Sequence, residues 1–183
     1  MKRAIFTCLL FLTLAMSTAS AGAHEFLASS TGKLTSKLLT TVVLKNIAGN
    51  MECKGASLAE GAVATTKSTF LVSTVQFEKC TAFGLLMTMS PARIRSTADG
   101  SVSLLKTVTT KAISCQVTIP SNKNQNLNTV KYRNTNKQIE KLATVSKITS
   151  VGIGAACAYA EESTGVLTGN ALVGLIGGAI DWQ

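Results

Sequence analysis

Cysteine is the residue type with the most chemistry to offer in this sequence. There are five, Cys8, Cys53, Cys80, Cys115 and Cys157, and a single histidine, His24. A cysteine or serine nucleophile needs a base beside it, and the one imidazole stands ahead of the strand-like body of the chain. Zinc needs clustered Cys and His ligands, and these residues form no cluster. Carboxylates fare no better as a glycosidase-type pair. Glu161 and Glu162 are adjacent and would point to opposite faces of a strand, while Glu52, Glu60, Glu78 and Glu140 are scattered and read as solvated charges. No Gly-rich phosphate loop follows a strand and opens a helix. The expectation is a protein that is not an enzyme and needs no cofactor, with an extracellular enzyme using an unconventional loop site as the alternative.

The compartment decides what the cysteines do. Met1-Lys2-Arg3 is basic, Ala4 to Met16 is apolar, and small residues follow from Ser17 to Ala23. The apolar run is too short to span a membrane and has the form of a secretory leader. Residues 1–23 therefore read as a signal peptide, cut after Ala21 or Ala23, and residues 24–183 as a single all-β domain. Cutting removes Cys8 and leaves four cysteines, an even count that in an exported chain reads as two disulfides, with three connectivities open. A cut after Ala21 also creates a new start, Gly22-Ala23-His24. Its amine, two amide nitrogens and imidazole form a square-planar set suited to Cu(II) or Ni(II). A cut after Ala23 removes that set, and the plainer expectation is a disordered start with no metal.

Charge narrows the partners. The 183 residues carry 18 Lys and Arg against 9 Asp and Glu, and loss of Lys2 and Arg3 with the leader leaves +7. A cationic exported chain suits anionic cell-wall polymers. Basic residues such as Lys33, Lys67, Arg95 and Arg133 are spread along the chain rather than gathered in a stripe. Tyr132, between Lys131 and Arg133, is the one local cluster a nucleic acid could stack on; it reads as a solvated strand face, so no nucleic acid is expected. With Trp182 the only tryptophan, sugar-binding aromatic platforms have little support.

The elements that must carry these residues read as strands. The chain after residue 23 is rich in Thr, Val, Ile and Ser. Ile113, Cys115, Val117 and Ile119 alternate with Ser114, Gln116 and Thr118 before Pro120 ends the run. Leu34, Ser36 and Leu38 alternate with Thr35 and Lys37, Val75 and Phe77 with Thr74 and Gln76, and Val130 and Tyr132 with Lys131 and Arg133. Asp99-Gly100 is the best two-residue hairpin turn, while Ser121–Asn128 and Asn134–Lys137 read as polar loops. Lys137–Lys147 is ambiguous, with strand favoured by its continuation into Thr144–Thr149. Val166–Ile180 is apolar and Gly-rich, and reads as a buried terminal strand with a bend. Its Gly174-x-x-x-Gly178 spacing could also pack helices in a cationic membrane-active protein, but membrane contact is not the favoured reading. The expected fold is all-β, an antiparallel β-sandwich or barrel-like fold with two disulfides.

Phe77-Glu78-Lys79-Cys80-Thr81-Ala82-Phe83-Gly84, Met51-Glu52-Cys53 upstream, Ala98-Asp99-Gly100 and Cys115-Gln116-Val117-Thr118-Ile119-Pro120 together resemble a family of uncharacterised secreted actinobacterial proteins. Those proteins read as a secretory leader, CTAFG after an aromatic-containing strand, then CxVTIP. The resemblance carries no activity. It does bear on the cysteines. Family members often carry a further pair flanking the Asp-Gly turn, at positions that fall near Ala92 and Lys106 here, and both are absent. That joint loss leaves Cys53–Cys80 and Cys115–Cys157 as the implied bridges, with Cα separations of about 4.4–6.8 Å. The expected role is that of a secreted, non-catalytic, extracellular or envelope-associated binding or structural protein.

Overall fold

The computed structural model describes residues 23–46, 49–82, 84–112, 115–121, 130–153 and 163–183. Residues 1–22, Ile113, most of the Ser121–Asn128 loop, Cys157, Glu161 and Glu162 lie outside the described residues. Within them every regular element is a strand: β1 (Phe26–Ala28), β2 (Gly32–Leu38), β3 (Val42–Asn46), β4 (Gly49–Val63), β5 (Lys67–Ser68), β6 (Phe70–Ala82), β7 (Leu85–Met89), β8 (Ala92–Thr97), β9 (Val102–Leu104), β10 (Val108–Ala112), β11 (Cys115–Ile119), β12 (Val130–Thr135), β13 (Gln138–Ile153), β14 (Ser163–Leu175) and β15 (Ile180–Trp182). Branched and threonine side chains favour this state because they pack well on a pleated surface.

All pairings are antiparallel, and they close. From β3 the ladder runs through β4, β6, β7, β10, β11, β13 and β14, and β14 bonds back to β3. This ring is an eight-stranded barrel, so the expectation of a sandwich gives way to its alternative: closure satisfies both edges of every strand in the ring. The long strands β4, β6, β13 and β14 run beyond the ring into a second tier, ordered β12, β13, β14, β2, β4, β6, β8, β9. There the turn after β8 is tied to β12. Val130 N–H donates to the Gly100 carbonyl at 3.0 Å, and the Tyr132 hydroxyl donates to the Thr97 carbonyl at 2.8 Å.

A small sheet, β15-β1-β5, caps this second tier. Phe26 and Ile180, at 2% and 0% exposure, pack with Leu34, Leu71, Ile139, Val173 and Leu175. The Phe26 ring meets Tyr132 edge-on at 5.2 Å, and Trp182 donates its indole N–H to the Ala98 carbonyl at 2.7 Å. The Val166–Ile180 stretch is thus spent on β14 and on the turn that feeds the cap.

The turns exchange roles relative to expectation. Thr97 N–H donates to the Ser101 carbonyl, so the hairpin around Asp99 has a three-residue loop. Only Gly100 takes positive φ there, at 92°, and a Cβ on it would lie 2.6 Å from the Val130 carbonyl oxygen. Asp99 instead accepts from Thr97 Oγ1 and from Ser101 N–H, and these bonds hold its carboxyl below the ordinary range. The two-residue turn is at Asn136-Lys137, with φ of 47° and 65°. Thr135 pairs with Gln138 across it, and positive φ at both central residues matches the strand twist.

Candidate functional site

The lumen is set by which residues point inward, and the strands reset that choice with a bulge on β13 and a left-handed residue on β6. On β13, Ile139, Lys141, Ala143 and Val145 face in; the register then shifts between Val145 and Ile148, and Ile148 faces in as well. On β6, Val75 and Phe77 line the lumen, Lys79 takes a φ of 52°, and Cys80 and Ala82 are buried beyond it. A bulge re-aims the side chains that follow it. This local irregularity lets one long strand keep an inward face through both tiers.

Two chambers result. The larger, about 330 Å³, is apolar and lined by Phe77, Met89, Ile94, Leu104, Ile119 and Leu167 among others, with exposed Pro120 and Ser121 at its rim. The smaller, about 150 Å³, is lined by Leu38, Val42, Leu58, Val75 and Val173 together with Ser36, Ser73, Ser96, Lys141 and Asn170. Phe77, Ile94, Val102, Val145 and Leu167 belong to the walls of both. The space exists because many inward positions hold small residues: Ala56, Ala92, Ala143, Gly169 and Ala171. Side chains fill a narrow barrel when they are large; here they do not.

Lys141 is the charged group of the smaller chamber. It lies opposite Tyr132 on β12 and Ala171 on β14, on the inward face. It is half-buried and lines the chamber. Its Nζ donates to Ser96 Oγ at 3.2 Å. Desolvation disfavours the charged form and pushes the ammonium down to about 8. Burial pushes the neighbouring Tyr132 hydroxyl up, so it stays a neutral donor.

Lys141 was not among the residues the sequence singled out. Its signal was there: a lysine at an inward position of the Ile139, Ala143, Val145 alternation.

The residues that were singled out are dispersed. Cys53 and Cys80 are directly opposed on β4 and β6 and form a disulfide, buried at 2% and 1% exposure. Their Cα atoms are 4.0 Å apart, below the expected range and below the spacing of about 4.5 Å usual for even the closer kind of antiparallel pair. This is the one bridge seen between described residues. Cys115 is also disulfide-bonded, and its expected partner, Cys157, lies outside them. On β11 only Ile119 is buried; Cys115, Gln116, Val117 and Thr118 are all half-buried, so the expected two-faced alternation is not realised. His24 stacks on Trp182 at 4.7 Å, and among the described residues no three His, Cys, Asp or Glu side chains gather to hold a metal.

Two side chains depart from their simplest reading. Glu140 is not a solvated charge but 6% exposed, opposite Arg133 and accepting from its Nε at 2.9 Å. Tyr132 is 8% exposed with its hydroxyl engaged, so its ring is part of the core rather than a stacking surface. Glu60 and Glu78 are exposed. Lys33, Lys37, Lys45, Lys106, Lys111 and Lys131 are exposed on or beside different strands.

Compared with known proteins, the chain matches no family model, no curated protein and no solved structure.

Proposed function

We propose that this is a secreted, non-catalytic binding protein that holds a small apolar molecule in its barrel. The observation that carries the reading is the apolar chamber of about 330 Å³. Native interiors pack like organic crystals, with few voids larger than a water molecule. A chamber this large, joined by shared walls to one bearing a few polar groups, has the size and character of a small-molecule site. Eight strands are also the number at which a barrel can hold one small ligand. The leader-like N-terminus, the Cys53–Cys80 bridge and the disulfide at Cys115 support an extracellular setting. So does the resemblance to secreted actinobacterial proteins.

The test is titration with a neutral apolar fluorophore such as N-phenyl-1-naphthylamine. Saturable binding near one per chain is expected. Ala92→Phe, which projects a ring into the chamber from a position 3% exposed, should abolish it while far-ultraviolet circular dichroism stays unchanged. No saturable binding, or binding indifferent to that ring, overturns the reading.

A second reading rests on the exposed lysines and the net charge of +7 without the leader. The outer surface then binds anionic cell-wall polymers. Retention on such polymers should fall steeply with salt, because exposed charges are screened over about 8 Å at physiological ionic strength. Retention that ignores salt counts against it.

A further inference from the structure

A lysine ammonium has three donors. Ser96 Oγ accepts one from Lys141. The ion pairs among the described residues are Lys67 with Glu25 and Arg133 with Glu140, so none of their carboxylates is paired with Lys141. Glu140, its chain neighbour, lies on the outward face of β13, opposite Arg133. The groups that face Lys141 from the strands around it are the Tyr132 hydroxyl, the Ser96 hydroxyl and the Ala171 methyl, none of them anionic.

Burying a charge without a counter-charge is costly, and a methionine of similar length would fill the position more cheaply. A lumen is the one interior where a counter-charge can arrive with a ligand. Ser36 and Ser73 line the same chamber and can complete the shell of a small polar headgroup. Beyond the shared wall of Phe77, Ile94, Val102, Val145 and Leu167 lies the larger, apolar chamber. Polar and apolar parts are therefore separated along one lumen, as they are in an amphiphile.

Resting on the reading of the lumen as a binding cavity, we propose that the ligand is an amphiphilic carboxylate, its carboxylate on Lys141 and Ser96 and its hydrocarbon chain in the apolar chamber. A charge-assisted bond from the ammonium would give the acid its advantage over a neutral molecule of the same length. The larger chamber suits a medium-length chain.

The experiment compares dodecanoate with dodecanol by isothermal titration calorimetry at pH 7, on the purified, oxidised protein and on Lys141→Met. Dodecanoate should bind the unaltered protein at least about tenfold more tightly than dodecanol, a difference of about 1.4 kcal/mol. Lys141→Met should remove that preference while dodecanol affinity stays within about twofold. Lys141→Arg, which keeps the charge, covers the case in which the methionine variant fails to fold: it should keep a preference for the acid. Dodecanol binding with no preference for dodecanoate, or a preference that survives Lys141→Met, overturns the headgroup assignment and leaves the cavity reading standing. Binding of neither molecule overturns both.

Discussion

The two ends of this barrel are closed in different ways. At the ring end, Val42, Cys53, Cys80 and Met87 lie in one row across β3, β4, β6 and β7, and a disulfide joins the middle pair. The hydrogen-bonded ladder is continuous there. At the capped end, β12 is joined to β8 and to the turn that follows it, and closure depends on the fit of Phe26, Ile180 and Trp182 over the second tier. A closed ladder carries its own stability, whereas a cap depends on apolar burial and on a few side-chain bonds. The polar chamber with Lys141 lies in the tier under the cap, where β12 and β8 meet. The costly buried charge thus sits in the tier without a covalent tie.

The largest break in this comparison is Phe26→Ala. It removes a 2%-exposed ring and its edge contact with Tyr132, and should cost about 4 kcal/mol. Denaturant unfolding measures the loss. Hydrogen exchange should show β1 and β15 amides losing protection before those flanking Cys53 and Cys80.

Joint replacement of Cys53 and Cys80 by alanine tests the other end. The bridge closes a separation of 27 residues, which the chain-entropy account values at about 3.5 kcal/mol. Here protection should fall first around β4 and β6. If both variants lose protection in the same order, the two ends are one cooperative unit and the contrast between them fails.

Lys141→Met should act in the opposite direction, stabilising the unliganded protein by about 2 kcal/mol at pH 7. The folded ammonium titrates at about 8 and the unfolded one at 10.5. Between these values the unfolded chain holds a proton that the folded chain has released, so the unaltered protein gains stability as pH rises through that window. The advantage of the methionine variant should therefore shrink from pH 8 towards 10.5, as read by urea midpoints. A constant advantage would mean that the folded lysine titrates as the unfolded one does, as a solvated ammonium would.

The smallest effect is expected at Asp99→Asn, under about 1 kcal/mol, since the group is exposed and held by local bonds. Its folded carboxyl titrates below the ordinary value, so the stability it adds is present above about pH 4 and is lost as pH falls through the folded value. The asparagine variant should have a shallower acid limb in thermal melts.

Strand character and the faces of β2 and β12 were legible from residue order, because each depends on neighbours along the chain, whereas the Cys53–Cys80 pair rested on the resemblance to a family. Leu34 is buried and Thr35 and Lys37 are exposed, as their alternation requires, and Val130 and Tyr132 are buried between exposed Lys131 and Arg133. Asp99-Gly100 marked a turn but not its length, since loop length also depends on where Gly100 must pass the Val130 carbonyl.

What only the tertiary structure decided was closure and everything closure encloses. Local alternation is the same in a sandwich and in a barrel; the difference is whether β14 returns to β3. The positive φ at Lys79 and the bulge between Val145 and Ile148 shift which residues face inward, and a period of two cannot forecast them. Small residues such as Ala56, Ala143 and Ala171 look like weak strand formers when read singly, and become a void only when the ring brings them face to face. Lys141 reads as one more surface lysine for the same reason. Its charge is in the sequence, but its isolation is a property of the strands that surround it.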